Sequence, residues 1–361
     1  MKRLIAAVFV ATAALLLGGC STAGYYWQSV SGHMQMLGVA RPVPDVLADR
    51  QTPATLKAQL ELSQRIRNFA VDELKLPDNA SYRRYTDLRR PSVVWNVVAA
   101  PEFSLTLKTW CFAVLGCVGY RGYFDEQDAR AEAAKIAGEG FEVSVYGVPA
   151  YSTLGGLNWL GSFGGDPLLN TFITYPEGDL ARLIFHELAH QVVYAKDDTT
   201  FNESFAVAVE RIGSQSWLAQ HASPDTRQKQ AEFDKRRQQF RALTQTVRSD
   251  LDSIYKTNPA LAPDKWAQAA TKLIAMQKFR DNYAQLKQSW GSRVNVTGFD
   301  AWVARANNAS FGAQAAYDEL VPGFEALFVR ENRDWQRFYD AVRRLAALTK
   351  DERRQALKTQ E

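Results

Sequence analysis

The sequence predicts an α+β protein, with a small mixed sheet in the N-terminal half and a mainly helical C-terminal half. Three observations predict it. β-rich runs such as "SVVWNVVA" at 92–99 and "FEVSVYGV" at 141–148 are confined to the first half. From Gly178 onward, apolar residues recur at helical spacing with one evident break near 291–299. The composition, 46% hydrophobic and 23% charged over 361 residues, supplies a sizeable core and shows no repeat architecture.

The N-terminus reads as a processing segment over residues 1–19. Lys2 and Arg3 precede an apolar run, Leu4 to Leu17, that is shorter than a usual membrane span. It ends in "LLGGC", where small glycines precede Cys20. This ending resembles the lipobox of bacterial lipoproteins, which implies lipid on Cys20 and attachment to a membrane. Ser21 in place of Asp implies, by the same resemblance, the outer membrane, with the domain in the periplasm. Residues 20–50 read as a connector, with Pro42 and Pro44 marking extended chain. A single domain is expected over 51–349, followed by a polar C-terminal tail over 350–361.

Within the domain, Leu56, Leu60, Leu62, Ile66, Phe69, Ala70 and Leu74 define a helix that starts at Pro53 and is ended by Pro77. The strand at 92–99 and an apolar run at 103–118 follow. "DEQDARAEAAKIAGEG" is a short helix from Asp125, stopped by Gly138 or Gly140. "NTFITY" at 170–175 is a further strand candidate. Cys111 and Cys117 are a close pair in an exported chain, so a disulfide is expected; their spacing is wider than the Cys-x-x-Cys of redox sites. The net charge of +4 is small and dispersed, which leaves no nucleic-acid footprint.

The chemistry concentrates in "FHELAHQVVYAKDDTTFNESFAVAVE", from Phe185 to Glu210. The apolar pattern predicts a helix from Gly178 to about Tyr194. Residues four apart share a helix face, so His186 and His190 present two imidazoles to one point, a spacing suited to Zn2+. Glu187 then stands where a general base would act on water. A third ligand is needed, and Glu203 and Glu210 compete for it. They lie about two turns apart on one predicted helix and share a face, so distance does not choose between them. Thr200 to Glu203 also fits a capping box, which is the plain structural reading of Glu203.

"HELAH" followed by "FNESFAVAVE" resembles the gluzincins, zinc peptidases whose third ligand is a glutamate on a second helix. The stretch from Asn202 to Ala206 is similar to the Asn-Glu-Gly-Phe-Ala of aminopeptidase-N-like enzymes. That resemblance implies a zincin-like fold and gives the ligand role to Glu203, with Glu210 behind it. The chain also resembles a bacterial lipoprotein family described as "putative aminopeptidases". "CFAVLGCVGYRGYF", "AYSTLGG", "DPLLNTF", "FHELAHQ", "FNESFA" and "LVPGFEALF" carry the likeness, from about Tyr82 to Leu348. Two departures from the aminopeptidase-N group stand out. The spacer between His190 and Glu203 is shorter, and the Gly-x-Met-Glu-Asn loop that binds the substrate amine is missing. The expectation is one Zn2+ per chain and hydrolysis of a peptide substrate with Glu187 as general base.

Tyr151, Tyr194 and Tyr317 are candidates to stabilise an oxyanion. Asp197 and Asp198 are candidates to orient a histidine ring or to form a solvated turn. "DPLLNTFI" is the candidate strand edge for substrate, with Asp166 meeting either an amine or a turn. Asn307 and Asn308 either return to the cleft or cap a helix. Two other classes of function fit: a lipid-anchored binding or assembly factor with structural or vestigial zinc, and a zinc amidase acting on cell-wall peptides.

Overall fold

A computed structural model describes residues 24–358, apart from 113–115, 157–160, 162–163, 257–264 and 293. The expected signal peptide and Cys20 lie outside the described residues. The fold is α+β, and its elements follow the chain as helix α1 (24–39), β1 (Arg41–Pro42), α2 (Val43–Ala48), α3 (Ala54–Asp72), β2 (Arg84–Thr86), β3 (Val94–Pro101), β4 (Trp110–Phe112), β5 (Gly116–Val118), β6 (Arg121–Tyr123), α4 (Glu126–Gly138), β7 (Phe141–Val148) and β8 (Leu168–Leu169). The helical half is α5 (Glu177–Ala189), α6 (Thr199–His221), α7 (Pro224–Lys256), α8 (Lys265–Trp290), α9 (Thr297–Arg305), α10 (Asn308–Asp318), α11 (Val321–Arg330), α12 (Trp335–Ala346) and α13 (Lys350–Lys358). Among the described residues no helix is long and apolar enough to cross a membrane.

The larger sheet has the order β6-β3-β7, with both pairings antiparallel. β3 is central and covered on both faces, which explains its nearly unbroken apolar run. Val97 and Ala99 pack with Ala129 and Ile136 of α4. Val98 and Ala100 on the opposite face pack with Ala309 of α10. α4 begins where Asp125 accepts bonds from the backbone N–H groups of Gln127 and Asp128, a side-chain N-cap. The smaller sheet, β1-β2-β8, is mixed, with β2 parallel to β8.

α5 and α6 form the centre of the main core. Leu180, Ala181, Ile184, Phe185 and Leu188 of α5 and Phe201, Phe205, Ala206 and Ala208 of α6 are fully buried. α3 packs there through Phe69, whose ring lies 5.3 Å from Trp217. α11 and α12 close the other side, with Phe324 and Phe338 against Phe205. α7 and α8 extend outward as a long helical pair with their own core, Phe240 and Leu251 meeting Phe279 and Tyr283, roofed by Trp302 of α9.

Three sequence expectations are corrected. Residues 20–50 are not a connector where they are described: α1 buries Met36 and Leu37 and α2 buries Val43 and Val46. Residues 350–358 are not a loose polar tail but α13, in which Arg353 and Leu357 are buried. Its polar composition hides this, because the buried Arg353 is matched by charge rather than by apolar contact: Nε lies 3.0 Å from Asp198 Oδ2. "NTFITY" is not a strand. Asn170 spends its side chain on the neighbouring loop, accepting from Leu88 N–H at 2.8 Å, and the backbone of Phe172 and Ile173 turns back onto Leu169.

Candidate active site

α5 stops earlier than its apolar pattern suggests. His190 is its C-cap with helical dihedrals, and the next N–H groups make tighter bonds, Gln191 to Leu188 and Val192 to Ala189. The Gln191 side chain anchors this end, donating to Ser81 Oγ at 3.1 Å and accepting from Asn79 at 2.6 Å. The helix therefore ends just as it has brought both histidines to one side.

The loop that follows is short and held at three points. Asn202 clamps it in both directions, accepting from Ala195 N–H at 2.7 Å and donating to Ala195 C=O at 2.8 Å. Asp198 is the N-cap of α6, accepting from Phe201 N–H at 3.2 Å while its other oxygen takes Arg353. Asp197, in the left-handed region at φ 65°, accepts from Cys117 N–H at 2.6 Å. That contact requires a glycine at 116, where φ is +76° and a Cβ would strike the Asp197 carboxylate. Cys111 and Cys117 are directly opposed across β4 and β5 and joined by a disulfide. Asp198 is thus a buried structural anchor. The cap is not Thr200, so Glu203 does not close a capping box and its carboxylate is available elsewhere.

It turns to the histidines. His186 Nε2 and His190 Nε2 are 3.2 Å apart. Glu203 Oε2 lies 3.3 Å from His186 Nε2 and 3.6 Å from His190 Nε2. Tetrahedral ligands at ~2.0–2.1 Å from a zinc ion are roughly 3.3–3.5 Å from one another. The three atoms therefore lie at the mutual spacing of three corners of a zinc tetrahedron, and the donor set of two imidazoles and a carboxylate suits that ion. Glu210 approaches from behind: its Oε2 is 3.0 Å from His186 Nδ1. An N–H on Nδ1 leaves the Nε2 lone pair directed at the shared point.

The electrostatics follow from this packing. Burial opposes charge on His186, but hydrogen bonds to Glu203 and Glu210 overcome it and hold its pKa well above the ordinary value. Burial pushes Glu203 up, yet His190 and His186 pull it down to about 2. Glu210 is also lowered: against burial stand its bond to His186 and the nearby Arg182 and Arg237. Glu187 behaves differently. It is buried, it does not join the three converging atoms, and burial raises its pKa despite the two histidines.

Residues 24–357 match the family described as "Putative aminopeptidase". The chain belongs to that family. It matches no curated protein and no solved structure.

His186 and Glu187 open onto a cavity of about 570 Å³. Tyr317 borders it, its ring parallel to His186 within 22° at 6.4 Å. Burial and the Glu203 charge raise the Tyr317 pKa well above the ordinary value, and those of Tyr194, to about 12, and of Tyr120 likewise. Tyr146 is raised to about 12 by burial, against a bond to Asn96 and with Glu203 adding to the rise. Neither Tyr120 nor Tyr146 stands out in the sequence. Tyr146 alternates within β7 like any packed strand residue; Tyr120 lies within "CFAVLGCVGYRGYF", the stretch that carries the family likeness. Tyr151, in contrast, is not drawn to the histidines: its hydroxyl bonds His33 Nδ1 and its ring packs on Phe124.

The structure gives Asp166 a structural place. β8 is two buried residues, and Asp166 beside it is 3% exposed, accepting from Thr153 N–H at 3.2 Å. Asn307 caps α10, and Asn308 is spent on the carbonyls of Pro101 and Glu102. Burial raises the Asp166 pKa to about 7, and its Oδ1 has no hydrogen-bond partner. Folding therefore favours the protonated carboxyl. Its contribution to stability is complete below the unfolded-state pKa of ~4 and is lost as pH rises through about 7. Asp166→Asn, which mimics the protonated form, should match the parent at pH 4. At pH 8 it should exceed the parent by roughly 2–4 kcal/mol in urea unfolding.

Proposed function

We propose that this chain is a zinc-dependent peptidase of zincin type, acting as an aminopeptidase. The observation that carries the reading is the convergence of His186, His190 and Glu203 at tetrahedral spacing, with the buried carboxylate of Glu187 beside them on a cavity wall. Those three residues would hold one Zn2+. When bound, zinc supplies Lewis-acid polarisation of a carbonyl and acidification of a water.

The chain's own residues account for the proton movements. Glu187, ionised, takes a proton from the attacking water as its oxygen bonds to the peptide carbonyl carbon. It then gives that proton to the amine nitrogen as the C–N bond breaks. Burial of Glu187 brings its pKa up towards that of its proton donor, which suits a group that must both accept and release. Tyr317, Tyr120 and Tyr146 remain protonated at neutral pH and would offer O–H donors to the developing oxyanion. Glu210 fixes the His186 ring.

The exopeptidase part rests on the family description, since the Gly-x-Met-Glu-Asn amine-binding loop is missing. Turnover of unblocked against N-acetylated peptides, with the protein zinc-loaded and then chelator-stripped, tests the whole. Cleavage confined to unblocked peptides and to the loaded protein is expected. Equal cleavage of blocked peptides removes the exopeptidase assignment, and no cleavage of either removes the enzyme.

We further propose that Cys20 is lipidated and holds the domain at the outer membrane, facing the periplasm, on the basis of the "LLGGC" ending. Cys20→Ser should move the protein from the membrane to the soluble fraction or leave its signal uncleaved. Unchanged processing and fractionation would overturn this.

A further inference from the structure

A second cavity, of about 350 Å³, lies between α7, α9, α10 and β7 and shares Tyr317, Arg237 and Arg241 with the cavity that holds His186 and Glu187. That volume is in the range of small-ligand sites. Three arginines line it: Arg237, Arg241 and Arg305. No described carboxylate does. Of the three arginines, Arg237 is paired with Asp179 at 3.0 Å, on the side of the neighbouring cavity, where Arg182 also meets Asp234 at 2.7 Å. Arg305 makes no ion pair among the described residues, and the titratable side chain that acts on it is the Tyr146 phenol. The far wall is aromatic, with Phe240 4.9 Å from Phe299 and 5.4 Å from Trp302 between ring centres.

Arg305 is exposed and borders a concave site that no described carboxylate lines, so its guanidinium can pair with an arriving anion without displacing an acidic side chain. The aromatic wall suits the methylene stem that would carry such an anion. The position suits a substrate group, because Tyr146 and Tyr317, which line this cavity, both feel the charge of Glu203.

We propose that this cavity is a specificity subsite that takes a carboxylate of the peptide substrate, with Arg305 as its principal donor and Arg241 beside it. The inference rests on the peptidase reading for its substrate class. Two sources share the chemistry: an acidic side chain near the scissile bond, and the free C-terminus of a short peptide.

The test is equilibrium binding to zinc-loaded Glu187→Gln protein, which separates recognition from turnover, beside kinetics of the parent. Short peptides are compared as Glu against Gln, and as free acid against C-terminal amide. One of the two pairs should show about a tenfold preference for the carboxylate, and which pair does so identifies the source. Arg305→Ala should abolish that preference and Arg241→Ala should weaken it, raising KM with kcat little changed, at parental zinc content and melting temperature. Where the Glu side chain is the source, Arg305→Glu should turn the preference from Glu to Lys. Equal affinity within both pairs, or a preference that survives Arg305→Ala, overturns the subsite. A parent that cleaves peptides with no carboxylate preference sinks this inference alone. Arginine-dependent carboxylate binding without any cleavage sinks the peptidase reading and leaves the subsite standing.

Discussion

Glu187→Gln should reduce kcat roughly 10²–10⁴-fold while leaving the metal in place. The geometry separates the two properties. The atoms that would bind the ion are the His186 and His190 imidazoles and the Glu203 carboxylate, which lie within 4.8 Å of one another, and Glu187 is not among them. Gln has nearly the same shape and volume, so the packing around a side chain only 9% exposed is retained. What it lacks is a basic oxygen. Stability gives an internal control. The folded-state pKa of Glu187 is raised, so at neutral pH its ionised form opposes folding, and a neutral amide removes that opposition. The variant should therefore melt no earlier than the parent. Metal content, melting temperature and peptide turnover on one preparation decide the matter. Parental turnover would remove Glu187 from the chemistry. Loss of metal together with activity would make it a ligand instead.

The parts of this architecture legible in sequence are those with local causes. β7 follows "FEVSVYGV" residue for residue, and α4 begins at Asp125, because strand alternation and side-chain capping are decided within a few residues. The shared face of His186 and His190 is likewise a consequence of helical pitch. Long-range causes are not legible in this way. α13 looks like a tail because its polar run shows no core-facing stripe, yet Arg353 crosses to Asp198 and braces the start of α6. α1 follows closely on the signal-like segment, and the mixed composition of 20–50 gives no clear period to mark it as a helix. The sequence shows that the connection from His190 to Glu203 is short, but not why a short loop suffices. Asn202, Asp197 and Asp198 each tie it to a different part of the chain. The asparagine of "FNESFA" therefore has a structural role, fixing the loop while the next residue, Glu203, meets the histidines.

Replacing Glu203 and Glu210 in turn should give two different losses. Both lie on α6, two turns apart, and both face α5, so their spacing alone cannot rank them. Depth does. Glu203 Oε2 reaches the Nε2 atoms of both histidines, at 3.3 and 3.6 Å, so its oxygen occupies a corner of the donor set. Glu210 reaches only the Nδ1 atom on the far side of His186, at 3.0 Å. Glu203→Ala leaves two imidazoles and should empty the site at metal concentrations that saturate the parent. Glu210→Ala leaves all three donors but frees the His186 ring to rotate and to exchange its proton between nitrogens. Zinc affinity should then fall ~10–100-fold, the usual cost of losing a partner behind a ligand, and activity should return when zinc is raised by that factor. Competition titration against a chelator of known affinity reads both variants on one scale. If Glu210→Ala empties the site and Glu203→Ala keeps it filled, the two glutamates have been assigned the wrong way round.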